Sequence, residues 1–228
     1  MRTRQISIAE CDDLSGIVVA VDVLRAFTTA AYAFAAGARA IYPAATVKEA
    51  LDEKERRPGS KIMGEVDGLP VPGFDFSNSP AEIAAHDFSG ITLIQRTSAG
   101  TQGLIGSASA DLLYAVSFPC AEATVRQILE HETDEVVFVV TGRRPNGFGD
   151  EDAACADYMA ERLCGRHPDP APYLERVPSS KWGRLFASPD HPDYPAVDLK
   201  YCTALDRFDF AMRAEQREGG LVLRPVKS

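Results

Sequence analysis

Stretches of uninterrupted apolar residues recur along the chain, and each gives way to a polar turn and then to a helical period. Residues 17–21, Ile-Val-Val-Ala-Val, are the clearest case. A β-branched run without polar alternation suits a strand covered on both faces, as in a parallel sheet flanked by helices. Asp22 ends this run, and an Ala-rich helix follows over 25–36, stopped by Gly37. Strands are likewise predicted at 40–42, 61–63, 91–94, 112–116 and 136–140, with helices at 47–56, from Pro80, at 120–131 and at 150–163. The alternation predicts an α/β fold of three layers, α/β/α, with largely parallel or mixed sheets. In such sheets function gathers at the carboxyl ends of the strands.

The pattern also repeats. Strand, hydroxyl-rich turn, small-residue helix, strand, helix, strand occurs twice, with corresponding elements offset by 72 to 75 residues. Residues 17–63 and 91–140 are therefore read as two similar copies within a single domain spanning 1–228. That reading puts the turns at 22–29 and 96–101 at equivalent strand ends, facing each other across one cleft. Residues 64–80 form a long loop with little regular structure, which inside a compact domain points to function or disorder. Residues 166–195 hold seven of the fifteen prolines, too many for long helices or central strands, and predict a surface excursion or lid.

Composition narrows the classes. A hydrophobic share of 45% over 228 residues is ample for a packed core. With 24 basic and 33 acidic side chains the net charge is -9, which argues against a nucleic-acid or membrane-surface partner. An anionic ligand must then be met by local arginines or by a metal. The five cysteines show no C-x-x-C pair, so neither a disulfide frame nor a zinc site is predicted, and reduced thiols fit a cytoplasmic protein. No run is long enough to span a bilayer. The expected partner is a small anionic phosphorylated substrate, and a homodimer is left open.

Candidate chemistry clusters at four places. Asp22, Arg25, Thr28 and Thr29 share one strand-to-helix junction, where a carboxylate, a guanidinium and two hydroxyls beside free helix N–H groups could bind metal and phosphate together. The alternative is a helix cap. The 64–80 loop carries Glu65, Asp67, Asp75, Ser77, Asn78 and Ser79, hard oxygen ligands and caps; alternatively it is a covering loop whose Ser79 caps the next helix. Gln95, Arg96, Thr97, Ser98 and Thr101 make a phosphate cradle without the lysine or spacing of a P-loop. The fourth place pairs a cationic loop at 141–149 with Asp150, Glu151 and Asp152, acids that the first turn of a helix favours in any case.

Three segments, Val-Asp-Val-Leu-Arg-Ala with Thr-Thr at 21–29, Gly-Leu-Pro-Val-Pro-Gly-Phe-Asp-Phe-Ser-Asn-Ser-Pro at 68–80 and Glu-Asp-Ala-Ala-Cys-Ala at 151–156, resemble the 2-phosphosulfolactate phosphatases. The resemblance extends over about 17–209. It implies a Mg²⁺-dependent acid phosphatase of α/β/α fold that acts in coenzyme M biosynthesis, releasing phosphate from 2-phosphosulfolactate. Carried across, it marks Asp22, Arg25, Thr28 and Thr29, then Glu65, Asp75 and Asn78, then Glu151 and Asp152. Three positions depart from the family's usual residues: Val66 and Gly147 replace arginines, and Ala99 replaces an asparagine. Arg96 stands where a threonine is common. The carboxylates thus match better than the anion-recognising groups.

The expected chemistry is hydrolysis of a small anionic phosphomonoester. Asp22 is either the attacking carboxylate or a direct Mg²⁺ ligand, and Glu65 and Asp75 are further ligands or a general acid, with Glu151 and Asp152 in the metal set. Arg25 and Arg96 would hold the phosphate or a substrate carboxylate. Thr28, Thr29, Asn78, Thr97 and Thr101 would line the substrate site. Two alternatives are a phosphatase for a different phosphorylated hydroxy acid and a catalytically silent organic-anion binder.

Overall fold

In the computed structural model, which describes residues 1–142, 149–188 and 190–227, the chain begins with strands β1 (Arg2–Ile6) and β2 (Ile17–Val21) and helix α1 (Ala26–Ala35). It continues through β3 (Ala40–Pro43), α2 (Val47–Arg56), β4 (Lys61–Val66), β5 (Leu69–Pro70) and α3 (Pro80–Ala84) to β6 (Thr92–Arg96). Next come α4 (Gly100–Gly106), β7 (Leu112–Val116), α5 (Ala121–Leu129), β8 (Glu135–Val140) and α6 (Asp150–Leu163). The Pro-rich segment then breaks into the short helices α7 (Ala171–Leu174), α8 (Arg176–Ser179) and α9 (Gly183–Phe186). Helix α10 (Asp198–Cys202) and the strands β9 (Phe210–Arg217) and β10 (Gly220–Lys227) close the chain. No described helix is long and apolar enough to cross a membrane.

Among the described residues ten strands make one mixed sheet in the order β1-β8-β2-β7-β9-β10-β3-β6-β4-β5. β2 runs parallel to both neighbours, β8 and β7, and β6 runs parallel to both of its own, β3 and β4. The antiparallel hairpin β9–β10 joins the two trios. The segments expected to be copies therefore interleave: β2 sits between strands of the second segment, and β6 between strands of the first.

Burial shows how the sheet is shaped. One face of both trios, with Val18, Ala20 and Val139 from one and Ile41, Met63 and Leu93 from the other, shares a single core with Phe27 and Ala30 of α1 and Leu104 of α4. The opposite faces have separate cores: α5 and α6 cover Val19, Val21 and Phe138, while α2 covers Ile62 and Ile94. The sheet thus curls around α1 and α4. Eight of the ten α1 side chains are buried, which explains its alanines: a helix enclosed on nearly every side needs small residues for close approach.

The curl brings the carboxyl ends of β2 and β6 together. A Cβ on Gly100 would lie 2.5 Å from Ala26 Cβ and 2.8 Å from Asp22 Oδ2, so only glycine admits this contact between the start of α4 and the end of β2. Similarly, Gly64 has φ +145, and a Cβ there would meet the Arg96 carbonyl at 1.9 Å, which seats β4 against the exit of β6.

Candidate active site

Four strand exits open onto one cavity of about 110 Å³. The end of β2 brings Asp22, Leu24 and Arg25, and the end of β4 brings Glu65, Asp67 and Gly68. Ser98 and Ala99 come from the turn after β6; Gly142 follows β8, and Glu151 sits in the first turn of α6. Asn78, just before α3, and Trp182, Phe186 and Tyr194 of the Pro-rich segment complete the lining among the described residues.

Asp22 is held by two helix starts. Its Oδ1 accepts the Ala26 N–H at 2.9 Å, its Oδ2 accepts the Thr141 hydroxyl at 3.1 Å, and the Gly100 N–H also donates to it. Replacing Gly100 by alanine is expected to displace this carboxylate and lower kcat/KM at least about tenfold, because small misplacements of reacting groups are costly. Steady-state kinetics of Gly100→Ala would check this, and unchanged values would show that the close approach is dispensable.

The other acids differ in what they touch. Glu151 is 1% exposed, and its Oε2 has no hydrogen-bond partner. Asp152, equally buried, accepts the Val23 N–H at 2.7 Å and the Gly142 N–H at 2.8 Å, so it braces the exits of β2 and β8 behind the cavity. Glu65 accepts the Ser98 N–H and the Gly68 N–H, both at 2.5 Å, and thereby ties the β4–β5 turn to the turn after β6.

Burial pushes the Asp22 carboxyl up to about 6, with the charge of Glu65 adding to it. Burial likewise pushes Glu151 up to about 7, helped by Asp22 and Asp150, and holds Asp152 well above the usual range, helped by Glu151 and Asp22. Three acids in so dry a place carry more negative charge than their surroundings neutralise, which favours either protons or a cation among them.

Among the described residues, Arg25 is the cation on the cavity wall. It is buried, pairs with Asp198 at 2.9 Å, and lies over the rings of Phe186 and Tyr194 at 5.0 and 5.6 Å. Asn78 Oδ1, also buried, has no hydrogen-bond partner.

Several residues singled out from the sequence stand elsewhere. Asp75 is bound by Lys54 at 2.6 Å, by Lys61 at 3.0 Å and by the Ile62 N–H at 2.8 Å, and it does not line the cavity. Burial alone would raise its carboxyl, but these donors hold it below the usual range. It pins the loop to α2 and β4, so Asp75→Asn should leave kcat/KM within about twofold, whereas a large loss would return it to the site.

Arg96 donates to the Glu65 carbonyl at 2.6 Å and to the Ser98 hydroxyl at 3.1 Å, and it braces the cavity rim without lining it. Thr97 and Thr101 bond each other across the first turn of α4, Thr97 Oγ1 accepting the Thr101 N–H at 2.9 Å. Thr28 donates to the Val23 carbonyl and Thr29 to the Asn78 carbonyl, so both hydroxyls are used in holding the backbone around the cavity. Residues 143–148, including the cationic pair Arg143 and Arg144 and the departure at Gly147, lie outside the described residues.

Comparison with known proteins shows the family of the chain. The family model described as 2-phosphosulpholactate phosphatase matches residues 4–181. The chain belongs to that family. Its class is that of the phosphoric monoester hydrolases. A Bacillus subtilis (strain 168) protein named as a probable 2-phosphosulfolactate phosphatase is 32% identical over 201 residues, covering 88% of this chain and 87% of its own. One of the same name from Carboxydothermus hydrogenoformans is 34% identical over 220 residues, covering 90% and 89%. Another from Thermoplasma acidophilum is 28% identical over 214 residues, covering 94% and 92%.

For this member of the 2-phosphosulfolactate phosphatase family, sequence reasoning missed the aromatic wall, Thr141 and Asp198. Trp182, Phe186 and Tyr194 sat in a segment whose prolines read as a surface excursion or lid, and it is the structure that shows them as cavity wall, Phe186 and Tyr194 under Arg25 and Trp182 stacked on Tyr194. The density of aromatics among those prolines was the available signal.

Proposed function

We propose that the chain hydrolyses the phosphomonoester of a small 2-hydroxy acid with Mg²⁺ bound at Asp22 and Glu151. 2-Phosphosulfolactate, the substrate in its relatives' names, is the first candidate, and a role in coenzyme M biosynthesis goes with it. The observation that carries this reading is a buried, unpartnered carboxylate oxygen, Oε2, on Glu151, a residue that lines with Asp22 the cavity whose wall bears Arg25.

The donors suit the ion. Among the described residues no three histidine, cysteine or acidic side chains stand close enough to hold a metal by themselves. Mg²⁺ asks for less: it keeps several waters and takes one or two carboxylates together with substrate phosphate oxygens. Bound there, it would supply charge neutralisation for the phosphoryl group under attack.

The chain's own residues divide the remaining work. Both oxygens of Asp22 already accept hydrogen bonds, which suits a fixed ligand better than an attacking nucleophile. Asn78 offers an amide to the substrate, and Arg25 a guanidinium. Trp182, Phe186 and Tyr194 keep water from the cavity, which strengthens every charge interaction inside it. Ala99, on the wall where the family usually has asparagine, offers one donor fewer, which is the ground for the second candidate, the phosphate ester of a different 2-hydroxy acid.

The test is phosphate release from 2-phosphosulfolactate, 2-phospholactate and p-nitrophenyl phosphate, with Mg²⁺ and with chelator. Mg²⁺-dependent release, fastest with a hydroxy acid ester, is the expected result. No release from any of the three would overturn the reading.

A further inference from the structure

Asp198 stands 173 positions from Arg25 in the chain and outside all three motifs, yet its side chain is fully buried against that arginine. Its Oδ2 accepts from Arg25 Nη1 at 2.9 Å, while its Oδ1 accepts from the Ser79 hydroxyl at 2.7 Å and from the Ala81 N–H at 3.2 Å. The carboxylate is thus fixed between the cavity wall and the start of α3. Arg25 Nη1 also reaches the Asp193 carbonyl at 3.3 Å, whereas Nη2 makes one long contact, 3.4 Å, to the Gly68 carbonyl. A guanidinium carries five N–H donors in a planar fork. With the Nη1 side taken up by residues 193 and 198, the edge of Nε and Nη2 is left to meet a ligand. The rings of Phe186 and Tyr194 set the plane of that fork.

We propose that Asp198 is a positioning residue that turns this edge of Arg25 into the cavity to hold the substrate's carboxylate, while Asp22 and Glu151 serve the phosphate end. The inference rests on the phosphatase reading above. Two features support it. An oxyanion as planar as a carboxylate matches the side of a guanidinium bidentately. In addition, Asp198 neutralises the arginine, so its grip is directional hydrogen bonding and not a general attraction for anions. The Pro-rich segment becomes part of the site, because residues 186, 193 and 194 all touch Arg25.

Asp198→Asn and Ser79→Ala are to be compared with the wild type on 2-phospholactate and on p-nitrophenyl phosphate, which lacks the carboxylate. In Asp198→Asn, KM for 2-phospholactate should rise at least about tenfold with kcat within about threefold, and KM for p-nitrophenyl phosphate should stay within about twofold. Ser79→Ala, which removes the hydroxyl that holds Asp198 Oδ1 and leaves the Ala81 N–H, should raise KM for 2-phospholactate by a smaller factor and leave KM for p-nitrophenyl phosphate within about twofold. Equal losses on both esters, or an unchanged KM, would overturn the proposal. Calorimetric binding of lactate and of inorganic phosphate in the presence of Mg²⁺ gives a readout that needs no turnover. If the wild type hydrolyses neither ester, the phosphatase reading fails, yet selective weakening of lactate binding in Asp198→Asn still supports the positioning role. Absent or unchanged lactate binding overturns it. Should Asp198→Asn fail to fold, Asp198→Glu, which keeps the charge and moves it by one methylene, is judged by the same criteria.

Discussion

Asp22→Asn is expected to lower kcat/KM by at least about 100-fold while the protein stays folded, since even groups that merely orient a metal ligand are worth 10- to 100-fold. Asp22 ends a strand buried on both faces and is gripped by N–H groups at the starts of α1 and α4, so no other side chain can move into its place. Asparagine keeps the shape but offers a single acceptor oxygen, so one of the present donors loses its bond, a cost of about 1 kcal/mol. Circular dichroism and thermal melting would confirm the fold before kinetics are read. A folded variant with wild-type turnover would remove Asp22 from the mechanism.

The second large effect is a linkage between protons, Mg²⁺ and stability. Asp22 and Glu151 keep their protons in the folded chain up to about 6 and about 7, whereas in the unfolded chain they lose them near the ordinary carboxylate values. At these two acids the folded state therefore binds more protons across this window, and their contribution to stability falls as pH rises from about 4 to about 7. For Glu151 alone the loss is on the order of 3 kcal/mol. Mg²⁺ held at these two acids, as proposed, would compete with those same protons, so its affinity should rise with pH and its binding should release protons. Melting curves at pH 5 to 8 should show Tm of the metal-free protein falling with pH, with Mg²⁺ adding little at pH 5 and most at pH 8. A Mg²⁺ effect independent of pH would place the ion away from these two acids.

What the sequence revealed followed from local chemistry. The apolar run of β2, the alanines of α1 and the cap at Thr46 are visible because neighbouring residues determine them, and α2 begins and ends where Thr46 and the Pro58-Gly59 turn predict. β1 and β9 escaped notice. Arg2, Arg4, Arg213 and Glu215 break the apolar pattern, and both strands exist through pairing with β8, β7 and β10.

The site divides in the same way. Asp22, Arg25 and Glu151 end strands or begin helices, so their position in the chain already hinted at the cavity. Asp75 has the same residue type and a similar loop setting, but Lys54 and Lys61 claim it, and nothing in the sequence shows which partner a carboxylate will find. Asp198 was hidden for the converse reason: its importance lies entirely in a contact with residues more than a hundred positions away.

The central claim is that one cavity, with Asp22 and Glu151 at its phosphate end, carries a Mg²⁺-dependent phosphatase activity. It is tested most directly by measuring phosphate release from 2-phosphosulfolactate and 2-phospholactate by the wild type, Asp22→Asn and Glu151→Gln over a Mg²⁺ titration at pH 7.5. The account predicts release by the wild type that saturates with Mg²⁺ and loss of at least about 100-fold in both variants at every Mg²⁺ concentration. Undiminished release by a folded Glu151→Gln protein, or wild-type release that chelation leaves untouched, would contradict it.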